Sequence, residues 1–178
     1  MEAFTIAPAS LHRLARELRA AGGGAPRILH EAGFAAGEML SARWRNRIAE
    51  QTGLDDAGRL DSRWFGPLLD QLCVNLGWGS LSVSELEDEG VVLESGDWAE
   101  ADPGSATVPS CHFTAGAMAA FLTGQAGAPI AVLEVECRST GADACRFLAG
   151  SSEMLSAAYD LLAAGGDWRE AFGTGRDS

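Results

Sequence analysis

Ile130-Ala-Val-Leu-Glu-Val-Glu-Cys137-Arg-Ser-Thr-Gly-Ala-Asp-Ala-Cys145-Arg-Phe-Leu148 is the stretch whose reading decides the fold. The alternation predicts a strand over Ile130–Cys137, a tight turn over Ser139 to Asp143, and a returning strand over Ala144–Leu148. The seven residues between Cys137 and Cys145 form the hairpin loop, so the two sulfurs lie near each other. Glu134 stands three positions before Cys137. Side chains alternate along a regular strand, which puts those two on opposite faces. Only a bulge or twist at the strand end brings them to one side.

Working outward, Cys111 to Gln125 reads as a helix of small and apolar residues, nearly uncharged and hence buried on most sides. Gly127-Ala128-Pro129 turns it into the strand. After the hairpin, Met154, Leu155, Ala158, Leu161 and Leu162 predict a last helix over Ser151–Ala164. From 165 to 178 the chain is rich in glycine and charge and is expected to be a flexible tail. Upstream, Leu81–Ser84 and Gly90–Leu93 form a second hairpin around an acidic turn, Glu85 to Glu89, and Ser95–Ser110 is loop. Three helices come first: Ser10–Ala21 with Ser10 as its cap, Pro26 to about Gln51, and one capped by Asp61 or Ser62 that ends at Gly77-Trp78-Gly79. The second carries the stripe Gly33, Gly37, Leu40, Trp44, Ile48, in which the glycines allow another backbone to come close. Residues 1–75 are thus the N-terminal helical part of the same domain, and 76–164 its core.

The 178 residues suit one domain. Thirteen Lys+Arg against 25 Asp+Glu give a net charge of −12, which argues against binding nucleic acid or an anionic membrane surface. No run reaches the ~18–20 apolar residues of a membrane span. The opening Met-Glu-Ala-Phe-Thr-Ile-Ala-Pro lacks the features of a signal peptide. A cytoplasmic location follows as an expectation, and with it reduced thiols.

Three of the four cysteines, Cys111, Cys137 and Cys145, fall in a 35-residue window. With Glu134 they supply the four thiolate and carboxylate ligands that a closed tetrahedral zinc site takes. Buried cysteines acting as small hydrophobes are the other reading, and the residue types alone leave both open. His112 ranks below Glu134 as a ligand, because adjacent residues at a helix start point in different directions. Nothing speaks for an enzyme. There is no G-x-G-x-x-G after a strand and no P-loop, and no nucleophile is placed beside a base. Gly22 to Gly24 follow a helix, lack the P-loop Lys and Ser/Thr, and read as a linker. Glu85, Glu87, Asp88 and Glu89 read as a solvated turn.

The segments Val108-Pro-Ser-Cys-His-Phe-Thr-Ala-Gly116, Leu133-Glu-Val-Glu-Cys137 and Gly141-Ala-Asp-Ala-Cys-Arg-Phe147 resemble the 4-vinyl reductase domain. The resemblance runs from Leu76 to Leu148. That family includes the sensing part of phenol- and xylene-responsive transcription activators, and bacteriochlorophyll-synthesis proteins. The fold it implies is α+β: helices packed on a small antiparallel sheet, as in TRAPP subunits, with the N-terminal helices added. It implies a structural zinc held by Cys111, Glu134, Cys137 and Cys145, whose order and spacing match. It also implies a homodimer, and a pocket for a small apolar or aromatic ligand between sheet and helices. Trp98 is the first candidate to line that pocket, followed by Trp78 and Phe113, whereas Trp44 and Trp64 read as core filling. The chain departs from the phenol sensors in having no histidine from Leu60 to Val108, since His12 and His30 come too early. A stand-alone zinc-stabilised sensor or carrier that signals through a separate effector protein is therefore expected. An accessory factor or reductase-like protein of (bacterio)chlorophyll synthesis and a structural or assembly subunit are the alternatives.

Overall fold

The computed structural model describes residues 7–53, 60–86 and 90–172. Helix α1 spans Pro8–Ala20, α2 Ala25–Thr52 and α3 Ser62–Asn75. Strands β1 (Ser82–Leu86) and β2 (Gly90–Ser95) follow, then α4 (His112–Ala126), β3 (Ala131–Glu136), β4 (Cys145–Gly150) and α5 (Ser152–Ala163). The helices-on-sheet architecture is the expected one. α1 begins two residues earlier than its serine suggests: Ala7 is the cap and Pro8 opens the first turn, where a missing N–H costs nothing. Asp61 caps α3 by accepting the Arg63 N–H at 3.1 Å. The tip of the acidic turn, residues 87–89, and most of the expected loop after α2 lie outside the described residues.

The sheet order is β1-β2-β4-β3, with every pair antiparallel. Two hairpins lie side by side, and each face of the sheet carries its own helices. On the inner face, Val91, Leu93 and Phe147 join a core with Trp44, Leu69 and Phe121 of α2, α3 and α4. On the outer face, Val92, Val135 and Leu148 pack against Met154, Leu155 and Ala158 of α5. The chain past Gly165 is not a loose tail throughout. Trp168–Phe172 forms a 3-10 turn whose Trp168 and Phe172 are buried in the outer core. Residues 173–178 lie outside the described residues.

α2 and α4 cross in backbone contact. A Cβ on Gly33 would overlap the Phe113 carbonyl oxygen, and one on Gly37 that of Ala117. Gly116 of α4 meets the His30 carbonyl in the same way. Only glycine lets two main chains approach so closely, and this fixes the start of α4 against α2. Trp44 is 1% exposed, as its place in the stripe predicts. Trp64 is not core filling: it is 52% exposed, with the Arg63 guanidinium over its ring.

Candidate metal centre and ligand cavity

β3 and β4 pair regularly up to Glu134↔Phe147, then shift register so that Glu136 faces Arg146. This is the bulge that the alternation of side chains required. Glu134 points to the inner face, Val135 joins the outer core, and Glu136 pairs with outward Arg146. Cys137 is thereby returned to the inner side, where it is fully buried with Cys145. Cys111, at the N-cap of α4, completes the corner. One ligand atom from each of Cys111, Glu134, Cys137 and Cys145 lies within 4.8 Å of all the others. These residues could hold a metal ion.

The donor set fits such an ion. Cys111 Sγ lies 3.7 Å from Cys137 Sγ and 4.0 Å from Cys145 Sγ. A tetrahedron with zinc–sulfur bonds of about 2.3 Å has edges of about 3.8 Å. Glu134 accepts the Cys111 N–H through Oε2 at 2.8 Å, whereas its Oε1 is buried without a hydrogen-bond partner. A buried, orphaned carboxylate oxygen among three sulfurs calls for a cation or a proton. Main-chain N–H groups meet the sulfurs from the hairpin turn: Arg138 donates to Cys145 Sγ at 3.5 Å and Ser139 to Cys137 Sγ at 3.4 Å. Such donors moderate the charge of bound thiolates. Burial, then the nearby Cys137 charge, pushes the Glu134 carboxyl up to about 9. Contacts with Cys111 and Cys145 favour the thiolate at Cys137, and the same contacts push the Cys111 thiol up. A divalent ion would take the place of these protons. Cys73 stands apart in α3, its thiol pushed up to about 12 by burial and by Asp70, as befits an inert core cysteine.

A second buried acid supports the corner from behind. Glu100 accepts the N–H of Phe113 at 3.0 Å and of Thr114 at 2.7 Å, and also the Thr114 hydroxyl at 2.6 Å. It caps α4 from a distant loop, because Cys111 offers its own helix no side-chain cap. Burial pushes the Glu100 carboxyl up to about 7, against the pull of Thr114 and Phe113. Sequence reasoning missed this residue. The available signal was a buried helix with a cysteine at its cap position, which needs an acceptor from elsewhere.

The three aromatic residues expected to line a pocket form a block next to the metal corner. Trp98 is 2% exposed, donates Nε1–H to Thr114 Oγ1 at 2.6 Å, and packs edge-on against Trp78 and Phe147. Trp78 meets Phe113 in the same way. Of the three, only Trp98 borders a cavity, a smaller one of about 440 Å³ that His12 of α1 also lines. His12 Nε2 contacts the Ala99 carbonyl at 2.8 Å, so a histidine remote in sequence does reach this region. Neither Trp98, Trp78 nor Phe113 lines the larger cavity, of about 880 Å³. That cavity opens at the other end of the inner face and is walled by Trp44, Phe65, Val83, Val91, Leu122 and Ile130. Trp44 and Phe65 meet edge to face there, 5.5 Å apart. Its polar groups are few, among them Ser62, Arg63, Glu85 and Gln125.

The metal corner, its glutamate cap and both strands of the bulged hairpin all fall within one continuous segment. Residues 98–151 match the vinyl-4-reductase domain. The resemblance read from the sequence is borne out, and the matched segment holds all four residues of the corner. The fold extends over the larger part of the chain. It is similar to the phenol-responsive sensory domain of the transcription activator PoxR, solved with phenol, at 19% identity and a TM-score of 0.67. That match covers 92% of this chain and 83% of the other. A vinyl-4-reductase family protein from Methanocaldococcus jannaschii matches at 21% identity and a TM-score of 0.52, covering 83% of each chain. A trafficking protein particle complex subunit 3 from Naegleria fowleri, covalently bound to palmitic acid, matches at 10% identity and 0.57. There the coverage is 80% of this chain and 91% of the other. No curated protein matches the chain. Among the described residues, no helix is long and apolar enough to cross a membrane.

Proposed function

We propose that this chain is a small-molecule-binding module of the sensor or carrier type, with an apolar or aromatic ligand and a structural zinc ion. The observation that carries the reading is the apolar cavity of about 880 Å³ between sheet and helices, large enough to enclose a small organic molecule. Two aromatic side chains and four aliphatic ones supply its walls, which favours a ligand recognised by shape and stacking. The likeness to a sensory domain solved with phenol supports the same reading. Without a histidine among its lining residues, this cavity offers Gln125, Ser62 and Ser151 as its uncharged polar groups.

Zinc, when bound by Cys111, Glu134, Cys137 and Cys145, supplies a cross-link. The chain's own residues do the positioning: Glu100 holds the first turn of α4, and the Arg138 and Ser139 N–H groups steady the sulfurs. A closed set of four protein ligands leaves no open position for chemistry, so the role is structural. A homodimer and a separate effector belong to this reading; the exposed Leu14, Ile28 and Met39 on α1 and α2 offer an apolar surface for such contact.

Native mass spectrometry of protein purified without chelator tests both halves. One zinc per chain and a co-purified small apolar molecule, lost on substitution of Val83→Trp, are the expected results. Zinc-free protein of undiminished stability contradicts the metal assignment. A panel of phenols, hydrocarbons and fatty acids that leaves the melting temperature unmoved contradicts the cavity.

A further inference from the structure

A third cavity, of about 430 Å³, lies outside both sites. The loop of residues 104–110 forms one wall, and Arg19 in the last turn of α1, Pro26 in the first turn of α2 and His112 in the first turn of α4 form the rest. The chain carries a net charge of −12, yet not one residue lining this cavity is acidic. Arg19 makes no ion pair among the described residues. Ser110 is only 7% exposed and lines the cavity, and its hydroxyl makes no hydrogen bond among the described residues. A hydroxyl so deeply buried is ordinarily satisfied. It is the second observation that turns a basic cleft into a built site.

We propose that this cavity binds a phosphoryl group carried by a small molecule, with Arg19, His112 and Ser110 as its ligands. The guanidinium supplies a fixed fork of donors, the imidazole a ring N–H and the serine an O–H. These donors come from three separate stretches of chain and can each take a different oxygen. A phosphoryl group offers three oxygens and up to two negative charges, whereas a carboxylate offers two oxygens and one charge. The first turns of α2 and α4 border the same space, and their N-terminal dipole ends add favourable potential for an anion. The site is independent of the apolar cavity and stands or falls without it.

The test is a titration of the purified full chain with inorganic phosphate, chloride being adjusted to hold ionic strength, followed by amide NMR shifts and calorimetry. Saturable shifts at Ser110 and His112 are expected, with acetate binding more weakly than phosphate. Arg19→Ala, an exposed position, should weaken phosphate about tenfold, the usual worth of a charge-assisted bond. Ser110→Ala should weaken it about threefold. Arg45→Ala, exposed on α2 and roughly 28 Å along the helix from Pro26, should leave it unchanged. Three results would overturn the proposal: no saturable shift, an equal loss in Arg45→Ala and Arg19→Ala, or acetate binding as tightly as phosphate.

Discussion

The two ends of the sheet's inner face are built on opposite principles. At one end of β4, Cys145 belongs to a corner with Glu134 and two further cysteines, where every group has an assigned partner except one carboxylate oxygen. At the other end, Ala149 borders a cavity whose walls have few polar groups to satisfy. Roughly 13 Å of strand separates them, with Phe147 between. The polar end demands particular atoms at particular distances and is rigid for that reason. The apolar end demands only volume. A domain can therefore change what it binds at one end while the other end keeps the fold closed.

Cys137→Ser should have the largest effect and fall wholly on the polar end. It removes a ligand and leaves a buried carboxylate and two sulfurs uncompensated, for a loss of about 4 kcal/mol or more in urea unfolding, with zinc lost in elemental analysis. A loss under about 1 kcal/mol with zinc retained would erase the contrast between the ends. Gly37→Val comes next, because its side chain must push α4 off α2 at the Ala117 carbonyl. About 3 kcal/mol of destabilisation is expected, and both ends should loosen together, since α4 borders both.

The third prediction sharpens the boundary of the polar end. Glu136, directly before Cys137, accepts from Arg146, from Arg169 at 2.8 Å and from Trp168 Nε1 at 2.9 Å. Burial would raise its carboxyl pKa, but Trp168, Arg146 and Arg169 outweigh burial and hold it below its ordinary 4.5. A folded value below the unfolded one gives stability that is whole above pH 4.5 and is lost as pH falls through the lower folded value. Arg146→Met should remove about 1–2 kcal/mol at pH 7 and flatten that acid limb in thermal melts at a series of pH values. An acid limb as steep as the parent's would show that other carboxylates govern it. Last and smallest in stability is Val83→Trp at the apolar end. Filling the cavity should alter stability by no more than about 1 kcal/mol while abolishing uptake of any apolar ligand in calorimetry. Unfolding on this substitution would mean that the space is needed by the fold.

The same contrast explains what could be read from the chain. The polar end was legible because thiols and a carboxylate in a short window have few other uses, and because strand alternation alone forced a bulge between Glu134 and Cys137. The close α2–α4 crossing was legible from Gly33 and Gly37. Glu100 was not, because one acid in a loop carries no mark of the distant helix it caps. The apolar cavity was also hidden. Its walls come from α2, α3, α4 and all three of β1, β2 and β4, and residues such as Trp44 and Phe65 have the same spacing whether they fill a core or border a space. Trp98 and Trp78 read as lining of one large pocket, yet their rings pack on each other away from it, for the same reason.

The central claim is that one corner of the vinyl-4-reductase segment is a zinc site that holds the fold while the opposite end is free to bind. Native mass spectrometry of the parent, Cys137→Ser and Cys73→Ala proteins tests it most directly. One zinc per chain in the parent and in Cys73→Ala, and none in Cys137→Ser, is the predicted result. A metal-free parent with the same melting temperature before and after chelator would contradict it.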